Sequence, residues 1–238
     1  MRVLPVVSCL LISTNVMAAE EKAPDASTWK GDVELGLVIA TGNTETKTAN
    51  GKVDVENDRI DWRHNVIFEV LFSEESEERT AEKYTLTGKT DYKLPEDSFL
   101  FAIGTYENDQ FSGYDYQLSV ALGYGKRLIK QEGLFLDAEI GPGYRYSELA
   151  DGGNESEGIL RLGAELGWEI SENATFNQKL STEIGEESTI TKSTTSLTTK
   201  INSSLSFKSA LDIKHDSGAP EGSKETDTKT SISLVYGF

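Results

Sequence analysis

Apolar and polar residues alternate with a period of two along most of this chain. Over 60–73, Trp62, His64, Val66, Phe68, Val70 and Phe72 share one side, against Arg63, Asn65 and Glu69 on the other. Over 113–128, Tyr114, Tyr116, Leu118, Val120, Leu122 and Tyr124 oppose Asp115, Gln117, Ser119, Ala121, Gly123 and Gly125. Over 157–171, Leu160, Leu162, Ala164, Leu166, Trp168 and Ile170 oppose Arg161, Gly163, Glu165, Gly167 and Glu169. Alternation of this kind predicts half-buried strands. The same reading places strands at 30–41, 46–58, 60–73, 80–94, 98–109, 113–128, 133–147, 157–171, 174–187, 192–207, 209–217 and 225–238. Soluble sandwich strands run to ~5–6 residues, whereas a strand crossing a bilayer needs ~9–11. Most of these segments reach the longer figure. Aromatics gather near the segment ends, as in the interfacial girdles of membrane barrels. The pattern predicts an all-β fold, a twelve-stranded antiparallel up-and-down transmembrane β-barrel.

The last segment carries its own signal. Ile232, Leu234, Tyr236 and Phe238 lie on one face, and no polar tail follows. Chain ends usually fray into solvent, so an amphipathic strand ending in an aromatic ring is the expected assembly signal of an outer-membrane barrel. Turns are expected to be short at 57–59, 95–97, 130–133, 171–173 and 208–209. Longer loops are expected at 73–79, 150–157, 187–192 and 217–225, with a tight turn at Thr41-Gly42-Asn43-Thr44. Short turns on one side and longer loops on the other suit an outer-membrane barrel. Gly141-Pro142-Gly143 predicts a bulge, an edge or a bend, because proline donates no ladder hydrogen bond.

The amino terminus reads as a secretory signal. Arg2, an apolar stretch from Val3 to Val16 and small residues at Val16-Met17-Ala18 predict a signal peptide over 1–18 with cleavage before Ala19, and Met17-Ala18-Ala19 is the alternative site. A short periplasmic segment, 19–29, would precede the barrel at 30–238. The single cysteine, Cys9, lies within the signal. The mature chain is therefore expected to have no disulfide and no cysteine metal site. The formal net charge of −17 argues against nucleic acid as a partner, since phosphates need Lys and Arg. The expected partners are outer-membrane lipid and lipopolysaccharide, and the barrel assembly machinery through the last strand. The expected location is the cell outer membrane.

Two further stretches bear a resemblance. Gly36-Leu37-Val38-Ile39-Ala40-Thr41-Gly42-Asn43-Thr44-Glu45-Thr46-Lys47-Thr48 resembles the entry motif of the DUF481 family, YdiY-like proteins described as salt-induced outer-membrane proteins. Gly141-Pro142-Gly143-Tyr144-Arg145-Tyr146 is similar to that family's central segment, and Tyr236-Gly237-Phe238 fits its end. The resemblance implies an outer-membrane barrel linked to salt or osmotic conditions. It brings no catalytic residues.

Little in the chain suggests catalysis. His64 falls on the apolar face beside Trp62, where an interfacial role is expected. His215 has Asp212, Asp216 and Ser217 near it in sequence, but adjacency does not make a Ser-His-acid site. No nucleophile elbow, His-Glu-x-x-His or phosphate loop is present. The expectation is a non-enzyme with no catalytic residues, cofactor or metal. The chemistry lies on the polar face. Arg63, Glu69, Asp137, Glu139 and Arg145 are candidate lumen-lining residues, as are Arg161, Glu165, Glu169, Lys179 and Glu183. Buried charges must be paired or hydrated. Two arrangements follow: a narrow passive channel, cation-preferring if the acids face water, or a plugged lumen filled with ion pairs in a structural, lipopolysaccharide-contacting barrel. A secreted soluble β-protein is the third alternative.

Overall fold

The computed structural model describes residues 28–40, 46–76, 78–110, 112–220 and 223–238. The expected signal peptide over 1–18, most of 19–29 and the 41–44 turn lie outside them. Twelve strands are described: β1 (Thr28–Ala40), β2 (Thr46–Asp58), β3 (Trp62–Glu75), β4 (Glu78–Leu94), β5 (Ser98–Asp109) and β6 (Tyr114–Gln131), then β7 (Leu134–Leu149), β8 (Asn154–Ser171), β9 (Ala174–Ile184), β10 (Thr189–Lys200), β11 (Leu205–Asp216) and β12 (Thr226–Gly237). Each pairs antiparallel with its sequence neighbours, and β12 returns to β1, giving one closed up-and-down barrel. Closure leaves no free sheet edge, which a lipid environment demands.

The barrel is inverted relative to a soluble protein. Leu35, Leu37, Phe68, Leu118, Val120, Leu122, Leu160 and Leu234 face outward and are exposed. Charged and small polar side chains face inward. An apolar exterior of this extent is stable only against lipid. Aromatic groups ring both ends. At the turn end His64 stacks on Trp62 and Tyr92 tilts against it, with ring centroids 5.9 and 4.9 Å apart. At the loop end Tyr106 stacks on Tyr116 at 5.7 Å and Tyr146 tilts against Tyr116 at 5.9 Å.

Several local expectations are corrected. The turn expected at Lys208-Ser209 lies instead at 201–204. Asn202 sets it: its side-chain oxygen accepts from the Ser204 and Leu205 amides, each at 2.9 Å. The Thr- and Ser-rich strand β10 before it hides this boundary, because its alternation is weak. The expected loop at 73–79 is mostly strand, with only 76–77 between β3 and β4; the turn between β9 and β10 lies at 185–188, not 187–192. Tyr114 does not face outward with Tyr116. A bulge between them turns Tyr114 inward, where it is buried.

Gly141-Pro142-Gly143 interrupts one ladder only. The pairing of β7 with β8 runs through Pro142↔Leu160 unbroken. Its pairing with β6 skips from Ala121↔Gly143 to Tyr124↔Ile140, on the side where proline supplies no N–H. The backbones draw close there: a Cβ on Gly141 would collide with the Leu122 carbonyl. The barrel closes through a short seam. β1 and β12 pair from Asp32↔Gly237 to Leu35↔Leu234, and Gly31 and Phe238 exchange backbone bonds of 3.0 and 2.9 Å below them. The Phe238 ring covers Gly31, where a Cβ would strike it.

Candidate functional site

The inward faces of β3 to β8 are densely packed at the turn end. Phe99, Phe101 and Phe135 lie flat over Gly125, Gly123 and Gly167 of the adjoining strands, positions where any Cβ would meet a ring. Cations cover these rings: Arg63 sits 5.6 Å from the Phe99 centroid and Arg127 4.7 Å from that of Phe135. Each cation also has a carboxylate. Arg63 Nε donates to Asp91 at 2.9 Å. Arg127 grips Asp137 with two bonds of 2.7 and 2.8 Å. Lys89 pairs with Glu139 and reaches Asp91 at 3.5 Å. The ion pairs hold these charges close together, while Asp91 Oδ1 is buried without a hydrogen-bond partner.

Nearer the loop end lies an arginine cluster. Arg145, buried, pairs with Glu157, donates to both the carbonyl and the hydroxyl of Ser188 at 2.7 Å, and lies 3.7 Å from Glu183. Arg161 donates to Glu183 at 2.8 Å. Glu157 in turn accepts the Glu187 amide at 2.9 Å, so the cluster ties the β9–β10 turn to the wall.

The most concentrated group is centred on Glu107. Its carboxylate, 4% exposed, accepts from Lys83 at 2.8 Å, Lys192 at 2.7 Å and Lys214 at 2.6 Å. Lys83 comes from the neighbouring strand β4. Lys192 and Lys214 come from β10 and β11, on the far side of the strand order. The contacts therefore span the lumen. Lys214 also reaches Gln117 at 3.3 Å, and Lys83 reaches Asp109 at 3.4 Å.

The wall from β8 to β12 differs. Glu165 and Lys179 pair at 3.2 Å with side chains 37% and 47% exposed. Asp212 and Lys229 pair at 3.0 Å and are 33% and 38% exposed. The register runs Glu165↔Lys179↔Thr194↔Asp212↔Lys229 across five strands. This is a continuous polar strip that faces the interior yet touches water. Nearer the turn end lies a cavity of about 260 Å³, lined by Asp32, Glu34, Lys52, Asp54, Lys200 and Lys208 among others. At the loop end the chain after β11 leans across the mouth. The Tyr114 hydroxyl lies 3.4 Å from Asp216 and 3.3 Å from the Gly218 carbonyl, and Gly113 packs against Pro220 and Ser223. The cavity left there measures about 20 Å³.

The model of the family described as "Protein of unknown function, DUF481" matches residues 33–238. The chain belongs to the DUF481 family. A curated relative, the Escherichia coli K12 protein YdiY, is 26% identical over 225 residues, covering 92% of this chain and 87% of YdiY. Among solved structures, the NanC porin superposes with a TM-score of 0.52 at 11% identity, over 87% of this chain and 97% of its own. An outer membrane channel from Pseudomonas putida F1 gives 0.51 at 10%, over 95% and 100%. The KdgM porin gives 0.50 at 10%, over 88% and 99%. At these identities the likeness is one of fold, the closed barrel shared with outer-membrane porins.

The structure brings the ten inward candidates into different settings. Arg63, Asp137, Glu139, Arg145, Arg161 and Glu183 sit in the paired clusters. Glu165 and Lys179 sit on the polar strip. Glu69 lies 3.9 Å from Lys52 and is half-exposed, and Glu169 is exposed at the turn end. Ile232, Leu234, Tyr236 and Phe238 share the exterior face. His64 stacks on Trp62, its Nδ1 3.1 Å from the Thr90 hydroxyl. His215 lies outside with Nδ1 2.9 Å from Thr226, while Asp212 and Asp216 face inward, so the acids near it in sequence do not meet its ring. The central residue, Glu107, lies outside the candidate set. Its strand alternates weakly at Thr105-Tyr106-Glu107-Asn108-Asp109, and only the register shows which acid faces inward.

Proposed function

We propose that this protein is a non-enzymatic outer-membrane barrel that lets small ions pass along a narrow hydrated strip of its lumen. The observation that carries this reading is the polar strip. Glu165, Lys179, Asp212 and Lys229 remain one-third to one-half exposed inside a closed barrel, whereas the β3–β8 wall is packed tight. Fixed charges beside water in a low-dielectric passage favour ion entry and control its sign. The barrel's likeness to the NanC and KdgM porins and its apolar exterior support the outer-membrane placement. The inner acids are mostly neutralised by partners, which weakens the case for cation preference made from net charge. The link to salt or osmotic conditions rests on the family resemblance.

Cysteine accessibility tests the reading in the mature chain, whose expected processing removes Cys9. Lys179→Cys in lipid vesicles should react with a charged, membrane-impermeant thiol reagent, and Ala121→Cys, packed on Phe101, should not. Equal protection of both would refute a hydrated strip. A second reading, the plugged structural barrel, is favoured by the Glu107 contacts and by the 217–220 segment at the mouth. Folded protein that carries no current would select it.

A further inference from the structure

The Glu107 group has an unusual charge balance. Three ammonium groups converge on one carboxylate, and Asp109 lies 3.4 Å from Lys83 as a further acid. Each carboxylate oxygen is taken: Oε1 accepts Lys83 and Lys214, and Oε2 accepts Lys192. The lysines arrive from three separate strands and from both sides of the lumen. No helix or turn brings them together; the barrel wall itself holds them around a volume the size of a carboxylate. Lys192 stays 40% exposed, so the group is open to water on that side.

We infer that this group is a carboxylate-binding site where side-chain contacts cross the lumen, occupied at rest by the protein's own Glu107. A small carboxylate anion arriving along the strip would compete with Glu107 for the three lysines, as one ion displaces another between neighbouring sites in a selective passage. The sign of the passage follows. Ions that reach this group meet three ammonium groups against the two carboxylates of Glu107 and Asp109, so the barrel should prefer anions, the reverse of what its net charge suggests. This inference rests on the passage reading only in requiring that small ions reach the lysines.

Acetate is the probe, because it matches the atoms that Glu107→Ala removes. Folded Glu107→Ala barrel in detergent should bind acetate saturably, with ¹³C-acetate line broadening as the readout. Binding should be at least tenfold weaker in the Glu107→Ala/Lys192→Ala double variant and in the wild type. If Glu107→Ala does not fold in chloride, refolding in acetate at matched ionic strength becomes the measurement, with rescue expected. Equal behaviour in acetate and chloride, or equal binding by single and double variants, would overturn the site. These readouts need no current. Acetate binding without conductance would defeat the passage reading alone; conductance without acetate binding would defeat the site alone. Where the wild type conducts, its reversal potential in a salt gradient should show anion preference, and cation preference would overturn the assignment of sign.

Discussion

Leu122 offers the cleanest test of the inside-out arrangement. It lies near the middle of β6 on the outer face, 65% exposed, flanked outward by Val120 and Tyr124. Its inward neighbour Ala121 is buried against Phe99 and Phe101. If the exterior faces lipid, Leu122→Arg places a guanidinium near the bilayer midplane, at a cost of ~2–4 kcal/mol. At ~1.4 kcal/mol per tenfold, the folding equilibrium should fall by roughly 30- to 1,000-fold. The control is Ser206→Arg. Ser206 faces inward and lines the 260 Å³ cavity with Asp32, Glu34 and Asp54, so a new cation there finds water and carboxylates. Urea titrations of folding into lipid vesicles, followed by heat-modifiable gel migration, give both values. Comparable loss in the two variants, or none in Leu122→Arg, would refute the assignment of faces.

Other outcomes follow from particular contacts. Gly123→Ala should destabilise the barrel by ~1–3 kcal/mol, because the new Cβ would strike the Ile140 carbonyl and lie 2.7 Å from the Phe101 ring; an unchanged urea midpoint would contradict the packing. Arg145→Ala should cost ~3–5 kcal/mol by stranding buried Glu157, and Arg145→Lys should recover only part of it, since a lysine cannot also serve Ser188 and Glu183; full recovery would argue against the multiple contacts. Deleting Phe238 removes the two seam bonds to Gly31 and the ring that covers it, so outer-membrane yield should drop while export continues, and normal yield in a membrane-fractionation assay would rule out an assembly role. Tyr114→Phe should free the segment after Asp216, seen as faster protease cleavage between 217 and 225; an unchanged cleavage rate would mean that other contacts hold the segment.

Alternation alone made the strands and their faces legible, because a residue facing lipid and its neighbour facing the interior differ sharply in polarity. Trp62 through Phe72 and Leu160 through Ile170 lie as their pattern predicts. The pattern failed where that contrast fades. Thr- and Ser-rich β10 gave no clear end, so the Asn202 turn was hidden. The bulge beside Tyr114 reversed one face without altering the alternation around it. The functional interior was less legible still. Which acid meets which base depends on register across strands far apart in sequence, and Glu107 lies 85 residues from Lys192 and 107 from Lys214. Alternation says which side a residue faces, not which partner waits across the lumen.

The central claim is that this closed barrel holds a narrow, hydrated, ion-conducting strip. Planar-bilayer recording on purified protein, shown to be folded by heat-modifiable migration, tests it most directly. The account predicts discrete current steps that diminish when Lys179 and Lys229 are both replaced by Gln, while folding is unaffected. Silence from folded protein across a range of voltages would contradict it.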